Sequence, residues 1–409
     1  MKRFTARLAV IAAIAAVGSG GTAAAQEALK IGQISSRSGV FAIFGTSGER
    51  GAILAQEEIN ATGGILGRKV ELISTDSKSK PEDASRLFRE LVAQGVQVVI
   101  GTIATGEAQA VSTLAKENKL PFFATLGYGR FLTEEAGHRY FFRLISNSAA
   151  YYGPMVDRLV KDGHKKYCTI NNDFAFAKDL NASVMGDLKK KSPGVQVLDG
   201  CEFWVPLGTT DFSTYLTAII SKKPDVVMFG GLVGPSGRAF VAQANQFGLF
   251  QRSVGAHPAL GWPANAVGLR ESDIPKRTII TGGDYPYPIP DTAASKKFYD
   301  AYKKRWGEEP VSEGAHTYTT MMFIKKAFEK AGKIDREAFM AATGNLSIVH
   351  PSMGEITMRP FDNQSTAGVW VGYLGWSKQY NRPGMEDMTY VPGDKYLPTA
   401  EAIKKLRKE

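Results

Sequence analysis

Cysteine and histidine are scarce in this 409-residue sequence, which contains two of the former and five of the latter. The histidines lie far apart, and none has a second histidine at metal-ligand spacing. Cys168 and Cys201 fall in two predicted strands, 166–171 and 195–203, and form either a disulfide or two buried thiols. Two cysteines without a histidine cluster do not make a zinc site, so we expect no metal.

The motifs of the common enzyme classes are also missing. The sequence has no HExxH, CxxC or GxSxG motif and no phosphate-binding P-loop. Gly45, Gly48 and Gly51 are spaced as GxxGxxG, which differs from the fingerprint of dinucleotide-binding folds. We therefore expect a protein that is not an enzyme and that carries no cofactor.

Apolar runs long enough to span a membrane, about 18 residues, are absent. The N-terminus instead has Lys2, Arg3 and Arg7, a ten-residue apolar run at 8–17, and small residues up to Ala25. This pattern predicts a secretory signal peptide over residues 1–25, the alternative being a buried N-terminal helix. No cysteine follows the cleavage position, so a lipid anchor is not expected. The mature protein is predicted to be periplasmic.

Concentrated basic charge is missing as well. The formal charge is +10, from 50 basic and 40 acidic residues, but only 189–191 and 404–408 form short basic clusters. A nucleic-acid-binding protein concentrates its basic residues on one element. The charge therefore predicts a solvated basic surface and no nucleic-acid partner.

Short apolar runs that alternate with amphipathic segments of ten to fifteen residues are abundant. This alternation predicts β-α-β units and parallel sheets covered by helices on both faces. The runs start again at Tyr167, after the segment 141–148, which indicates two sheets of the same design rather than one large sheet. The predicted fold class is therefore α/β.

A resemblance to a known family begins at residues 57–72, which read EEINATGGILGRKVEL. The segment resembles the helix-to-strand connection of the leucine/isoleucine/valine-binding protein family, the type I periplasmic binding proteins. Paired glycines end the helix there and allow a tight turn. Further similarities follow along most of the chain: 38–39 with 44–45, 99–101, 104–106, 209–212, 224–227 and 243–249.

The resemblance implies two Rossmann-like lobes with parallel sheets, joined by a hinge of three crossings. We place lobe 1 at 26–145 plus 284–355 and lobe 2 at 146–283 plus 356–409. The implied function is that of the binding subunit of an ABC importer, which closes on a small carboxylate ligand and delivers it to permease subunits. A monomer is expected. A ligand-sensing subunit for a membrane receptor is the alternative.

The resemblance also implies a ligand site. Thr105 and Gly106, at a predicted strand-to-helix junction, align with the family's grip on the ligand carboxylate, unless Thr105 is only a helix cap. Gly127 and Tyr128 align with a second carboxylate-binding turn. Two further residues stand where relatives usually carry tyrosine and make the pocket more apolar, unless they pack in the core: Phe44 and Phe176.

One departure from the family concerns the ligand's amine. His257 stands where relatives that bind amino acids often place a carboxylate to pair with the ligand's ammonium. A neutral histidine does not supply that charge. Asp173 or Asp284 would substitute for it, or the ligand lacks an amine. Branched-chain and other amino acids therefore stay open beside amine-free aromatic or aliphatic carboxylates.

Overall fold

The structure, a computed structural model, describes residues 27–260, 266, 268–282 and 286–408. The predicted signal peptide and Asp284 lie outside the described residues. The strands are β1 Leu29–Ser35, β2 Val70–Asp76, β3 Val98–Gly101, β4 Phe122–Ala124, β5 Phe141–Arg143, β6 Lys166–Asn172, β7 Gln196–Val205, β8 Val226–Met228, β9 Val254–His257, β10 Thr278–Gly282, β11 Ser347–His350, β12 Gly354–Thr357, β13 Val369–Ser377 and β14 Arg382–Val391. The helices are α1 Ala42–Ala61, α2 Pro81–Ala93, α3 Thr105–Glu117, α4 Ser148–Lys161, α5 Ala175–Lys191, α6 Ser213–Lys222, α7 Pro235–Gln246, α8 Ala293–Trp306, α9 Ser312–Ala331, α10 Arg336–Thr343 and α11 Ala400–Arg407.

The first sheet contains the N-terminal strands in the order β2-β1-β3-β4-β5, and every pairing in it is parallel. Its inner strands β3 and β4 are short, apolar and fully buried, as expected for a sheet with helices on both faces. One face packs on α2 and α3 through a cluster that includes Phe88 and Val111. The other packs on α1 and α9 through Ile59 and Phe323.

The second sheet has seven strands in the order β14-β13-β10-β9-β8-β6-β7. Strands β6 to β10 are five neighbouring strands that pair in parallel. The hairpin β13-β14 adds two antiparallel strands at the edge next to β10. The α/β fold with parallel sheets in two lobes is therefore confirmed, with an antiparallel edge that the sequence pattern did not predict.

In the described residues, the chain passes between the two sheets after β5, after β10 and after β12. The first and third passages are bonded together: the Ser365 N–H donates to the Arg143 carbonyl at 2.9 Å, and the Ser365 hydroxyl donates to the Leu144 carbonyl at 2.7 Å. Helix α11 contacts the connection between β4 and β5, because Arg407 donates to the carbonyls of Thr133 and Glu134 there. The residue limits given above for the two lobes stay a prediction.

Cys168 in β6 and Cys201 in β7 form a disulfide, with their Cα atoms 4.9 Å apart. Both side chains are fully buried. The structure thus decides between the two alternatives that the sequence left open. Within the described part of the chain, no helix combines the length and apolarity that crossing a membrane requires.

Candidate functional site

A cavity lies between the two lobes, and the empty space in and around it is about 420 Å³, with open solvent at its mouth included. Its walls come from segments that follow the carboxyl ends of β1, β3, β4, β6 and β8. This is the edge of open parallel sheets at which ligands bind. The described lining residues are Phe41, Phe44, Ile103, Ala104, Thr105, Leu126, Gly127, Tyr128, Phe174, Phe176 and Val233.

The start of α3 gives the cavity its clearest polar feature. Thr105 is the first residue of this helix, lines the cavity and is only 6 % exposed. Its hydroxyl makes no hydrogen bond with any residue in the described ranges. The N–H groups in the first turn of a helix have no partner within the helix, and the helix dipole makes that end positive. An anion in the cavity would meet both features.

The carboxylate of Glu107 stabilises this helix start from inside the first lobe. It accepts the N–H of Ala104 at 2.9 Å and that of Ile103 at 3.3 Å. The hydroxyls of Ser36 and Ser77 also donate to it. Glu107 is fully buried and does not line the cavity, so it fixes the helix start without facing a ligand.

The 127–129 turn, which follows β4, packs tightly on the same helix start. Gly127 has a φ of +76°, and a Cβ on it would come within 3.0 Å of the Ala108 Cβ. A Cβ on Gly129 would lie 2.6 Å from the Thr105 Cγ2. Glycine is required at both positions by this close approach. The Thr105 methyl group therefore faces the turn, which leaves its hydroxyl on the other side.

Most of the other lining residues in the described ranges are aromatic or aliphatic. Phe41 and Phe44 come from the first lobe, with ring centroids 6.5 Å apart, and Phe174 and Phe176 come from the second, 6.0 Å apart. The Tyr128 ring packs against Tyr151, with centroids 4.8 Å apart. Phe44 and Phe176 thus line the cavity and also belong to the surrounding core cluster.

The structure does not bring His257 to the cavity, because its ring is enclosed within the second lobe. The Ala259 N–H donates to Nδ1 at 2.9 Å, and Nε2 lies 2.8 Å from the Leu232 carbonyl, to which it donates. The ring contacts Phe229 edge-on at 4.9 Å. Burial lowers the pKa of His257 to about 4, so the ring is neutral at pH 7. Both nitrogens are occupied, and the residue does not line the cavity.

Other predicted site residues separate into two groups. Thr105, Gly127, Tyr128, Phe44 and Phe176 all line the cavity. Gly106 does not line it, and a Cβ on Gly106 would point toward the ring of Pro81, 3.6 Å from Cγ.

Neither of the two aspartates considered as partners for a ligand amine is found at the cavity in the described residues. Asp173 pairs with Lys178 at 2.6 Å and its side chain is 54 % exposed, outside the cavity. Asp284 lies outside the described residues.

Sequence reasoning missed several apolar lining residues: Phe41, Ile103, Leu126, Phe174 and Val233. Each lies within a few residues of a strand's carboxyl end or a helix start. That position was the available signal, since such residues line the binding edge of a parallel sheet whatever their polarity.

Comparison with known proteins identifies the family. A family model described as "Periplasmic binding protein" matches residues 28–379. The chain belongs to the periplasmic binding protein family. This confirms the resemblance to the leucine/isoleucine/valine-binding proteins. The relatives of this periplasmic binding protein are solute-binding proteins and not enzymes.

The names of relatives and of solved structures similar to this periplasmic binding protein mention more than one kind of ligand. The Leu/Ile/Val-binding protein BraC3 of Rhizobium johnstonii is 27 % identical over 333 residues, which cover 80 % of this chain and 87 % of BraC3. The fold is shared with a solute-binding protein of an ABC transporter from Rhodopseudomonas palustris in complex with 3,4-dihydroxybenzoic acid, at a TM-score of 0.78 and 23 % identity, over 90 % of this chain and 98 % of the other. It is also shared with an amino acid ABC transporter substrate-binding protein from Pseudomonas fluorescens, at a TM-score of 0.80 and 20 % identity, over 93 % and 99 %.

Proposed function

We propose that this periplasmic binding protein is the exported binding subunit of an ABC importer for a small aromatic carboxylate that lacks an amine. In this proposal residues 1–25 are a cleaved signal peptide, and the mature chain is a monomer in the periplasm. Its lobes close on the ligand, and the closed form delivers it to permease subunits in the membrane.

The lining of the cavity carries the proposal. Aromatic side chains from both lobes line the cavity between them. Thr105 and the start of α3 provide a single anion-binding corner. A flat ring fits between phenylalanine walls and gains from edge-to-face contacts, while its carboxylate reaches the helix start.

The charges of the described lining residues support a ligand without an ammonium group. No carboxylate is found among the described lining residues. A buried ammonium without a countercharge costs several kcal/mol. His257, the residue at the expected position, is neutral and fully bonded inside the second lobe. The cavity therefore favours an acid without an amine over an amino acid.

The fold itself does not make this choice, because proteins of this fold include a 3,4-dihydroxybenzoic acid complex and an amino acid transporter subunit. The test is a thermal-shift and calorimetric comparison of matched pairs of ligands. Leucine would be compared with 4-methylpentanoate and phenylalanine with 3-phenylpropanoate, alongside benzoate and 4-hydroxybenzoate. A ligand at about a hundred times its Kd stabilises the protein by roughly 2.7 kcal/mol.

We expect the amine-free member of each pair to give the larger stabilisation and an aromatic acid the largest of all. If leucine or phenylalanine raises the melting temperature and its amine-free partner does not, the proposal is wrong. An acidic residue such as Asp284 would then be pairing the amine. Mass spectrometry of the protein purified natively from its host would identify a retained ligand directly.

A further inference from the structure

Arg143 is a fully buried arginine at the end of β5, where the chain leaves the first lobe. Its guanidinium makes four hydrogen bonds. Nη1 donates to the carbonyls of Gly127 at 2.8 Å and Gly129 at 2.9 Å, Nη2 to the Thr133 hydroxyl at 2.7 Å, and Nε to the Gln364 Oε1 at 2.7 Å. Every one of these acceptors is neutral.

Within the described ranges, no carboxylate oxygen lies within 4.0 Å of this guanidinium. Burial lowers the pKa of Arg143 to about 10 against the opposing charges of Glu134 and Asp362, so the group still carries its charge at neutral pH. A buried charge that makes no direct ion pair is costly. The guanidinium is hydrogen-bonded to carbonyls of the 127–129 turn, whose Gly127 and Tyr128 line the cavity.

The two carbonyl contacts also fix how this turn is oriented. In a trans peptide unit the N–H and C=O bonds point in opposite directions. The Gly127 carbonyl faces Arg143, so the Tyr128 N–H points away from Arg143. Both Gly127 and Tyr128 line the cavity. A cation on the carbonyl polarises the same peptide unit and makes its N–H a stronger donor.

We propose that Arg143 is the positioning residue of the carboxylate site: it holds the 127–129 turn with the Tyr128 N–H directed at the bound anion and supplies the positive charge behind it. This inference rests on the proposed function, in which the ligand carries a carboxylate. Gln364 anchors Arg143 from the third passage, since its Nε2 donates to the Ile145 carbonyl at 2.6 Å. The binding turn is thereby tied to the segments about which the lobes would move.

The test compares Arg143→Met and Arg143→Lys with Arg336→Met. Arg336 is half-buried and its Nη2 donates to the Val96 carbonyl at 2.8 Å, so it provides a control arginine that contacts neither the turn nor Gln364. Calorimetry with 4-hydroxybenzoate should show about a 10- to 100-fold higher Kd for Arg143→Met. Arg143→Lys should lie in between, because an ammonium keeps the charge but not the forked geometry. The control should stay within twofold.

An amide spectrum of protein labelled with ¹⁵N-tyrosine gives a readout that a merely structural role would not move. The Tyr128 signal would be assigned by its absence in Tyr128→Phe. In the wild type it should shift downfield with 4-hydroxybenzoate, and less so in Arg143→Lys. Binding within twofold of wild type in both Arg143 variants, with an unmoved Tyr128 signal, would overturn the inference.

Failure of the fold and failure of the proposed function are separated in this design. If Arg143→Met does not fold, Arg143→Lys decides alone. If the wild type binds no carboxylate, the proposed function fails. The ligand-free spectra then still decide whether Arg143 holds the turn, because a Tyr128 signal unchanged in Arg143→Lys would rule that out.

Discussion

The two lobes contribute different chemistry to the cavity between them. The first lobe supplies the start of α3, the Thr105 hydroxyl and the 127–129 turn with the buried charge of Arg143 behind it. The second lobe supplies Phe174, Phe176 and Val233, which are all apolar. In the proposed function the first lobe would therefore bind the ligand's carboxylate, and the second lobe would exclude water and select the ligand's shape. A ligand would be captured first by the lobe that binds its charge.

The lobes also differ in how they are stabilised. The second contains the Cys168–Cys201 disulfide between β6 and β7. Among the described residues there is no free cysteine. The first relies on close packing of α1, α2, α3 and α9 against its sheet. The predictions below test this contrast in order of decreasing expected effect.

Removing the disulfide should give the largest change. Cys168→Ser with Cys201→Ser opens a loop with a sequence separation of 33, and loss of such a cross-link typically costs about 2–4 kcal/mol of unfolding free energy. Denaturant unfolding with and without reductant measures this. Hydrogen exchange should show faster opening in the second lobe and unchanged protection of β1 and β3. Equal loss in both lobes would mean that they unfold as one unit.

Thr105→Val should weaken binding strongly and stability little. The substitution keeps the shape but removes a donor to the ligand carboxylate, and losing a hydrogen bond to a charged group costs about 1.5–3 kcal/mol. Calorimetry with 4-hydroxybenzoate should show a Kd about ten- to a hundredfold higher. Thr113→Val, on the exposed face of the same helix, is the control. A change of less than twofold at Thr105 would mean that it serves only as the first residue of the helix.

His257 should contribute acid sensitivity to the second lobe without affecting ligand affinity. Its pKa is lowered from 6.5 to about 4 by burial, so the unfolded state binds the proton more readily. The contribution of the neutral ring to the free energy of unfolding is present above about pH 6.5 and is lost as the pH falls toward 4. At pH 5 the loss is about 2 kcal/mol.

In His257→Gln the fall in stability between pH 7 and pH 5 should be smaller than in wild type by about this amount. Taking the difference within each variant cancels any loss of stability at pH 7. His164→Gln, at a half-buried position outside the core, controls for the loss of one histidine. If His257→Gln leaves the pH dependence of stability unchanged and raises the Kd, His257 acts in ligand binding and the prediction is wrong.

The sequence predicted those features of the fold that depend on local patterns and missed those that depend on pairing between distant segments. The alternating apolar runs and the segment at 57–72 were enough for the α/β fold in two lobes, because they are local. The antiparallel edge formed by β13 and β14 was missed, since β13 joins the sheet by pairing with β10, and pairing partners distant in sequence are not visible in a local pattern. The disulfide stayed undecided because it depends on the register of β6 against β7, which has an irregularity between Tyr167 and Thr169.

The site was predictable where backbone geometry fixes it and not where side-chain direction does. Thr105 and Gly127 follow strand ends, and position alone brings them to the cavity. His257 also ends a strand, but its ring turns inward to the Leu232 carbonyl and the Ala259 N–H. Arg143 gave no signal in the sequence, because its role depends on carbonyls in the 127–129 turn that only the folded chain brings to it.

The smallest expected effect lies on the apolar wall, and it tests the division of chemistry between the lobes most directly. Phe176→Leu keeps an apolar side chain of similar size but removes the ring. Aromatic pairs are worth about 0.5–1.5 kcal/mol beyond the area they bury, so only an aromatic ligand should lose this contribution. The Kd of 4-hydroxybenzoate should rise about two- to tenfold, while that of 4-methylpentanoate should change little.

Phe203→Leu is the matched control for this substitution. Phe203 lies in the same lobe, packs on Tyr215 with ring centroids 5.6 Å apart and does not line the cavity. Calorimetry with both acids gives a ratio of Kd values in which any general loss of packing cancels. If Phe176→Leu weakens both acids equally, the second lobe acts only as a lid that excludes water. If it shifts the ratio against the aromatic acid, the apolar wall selects the ring while the first lobe binds the charge.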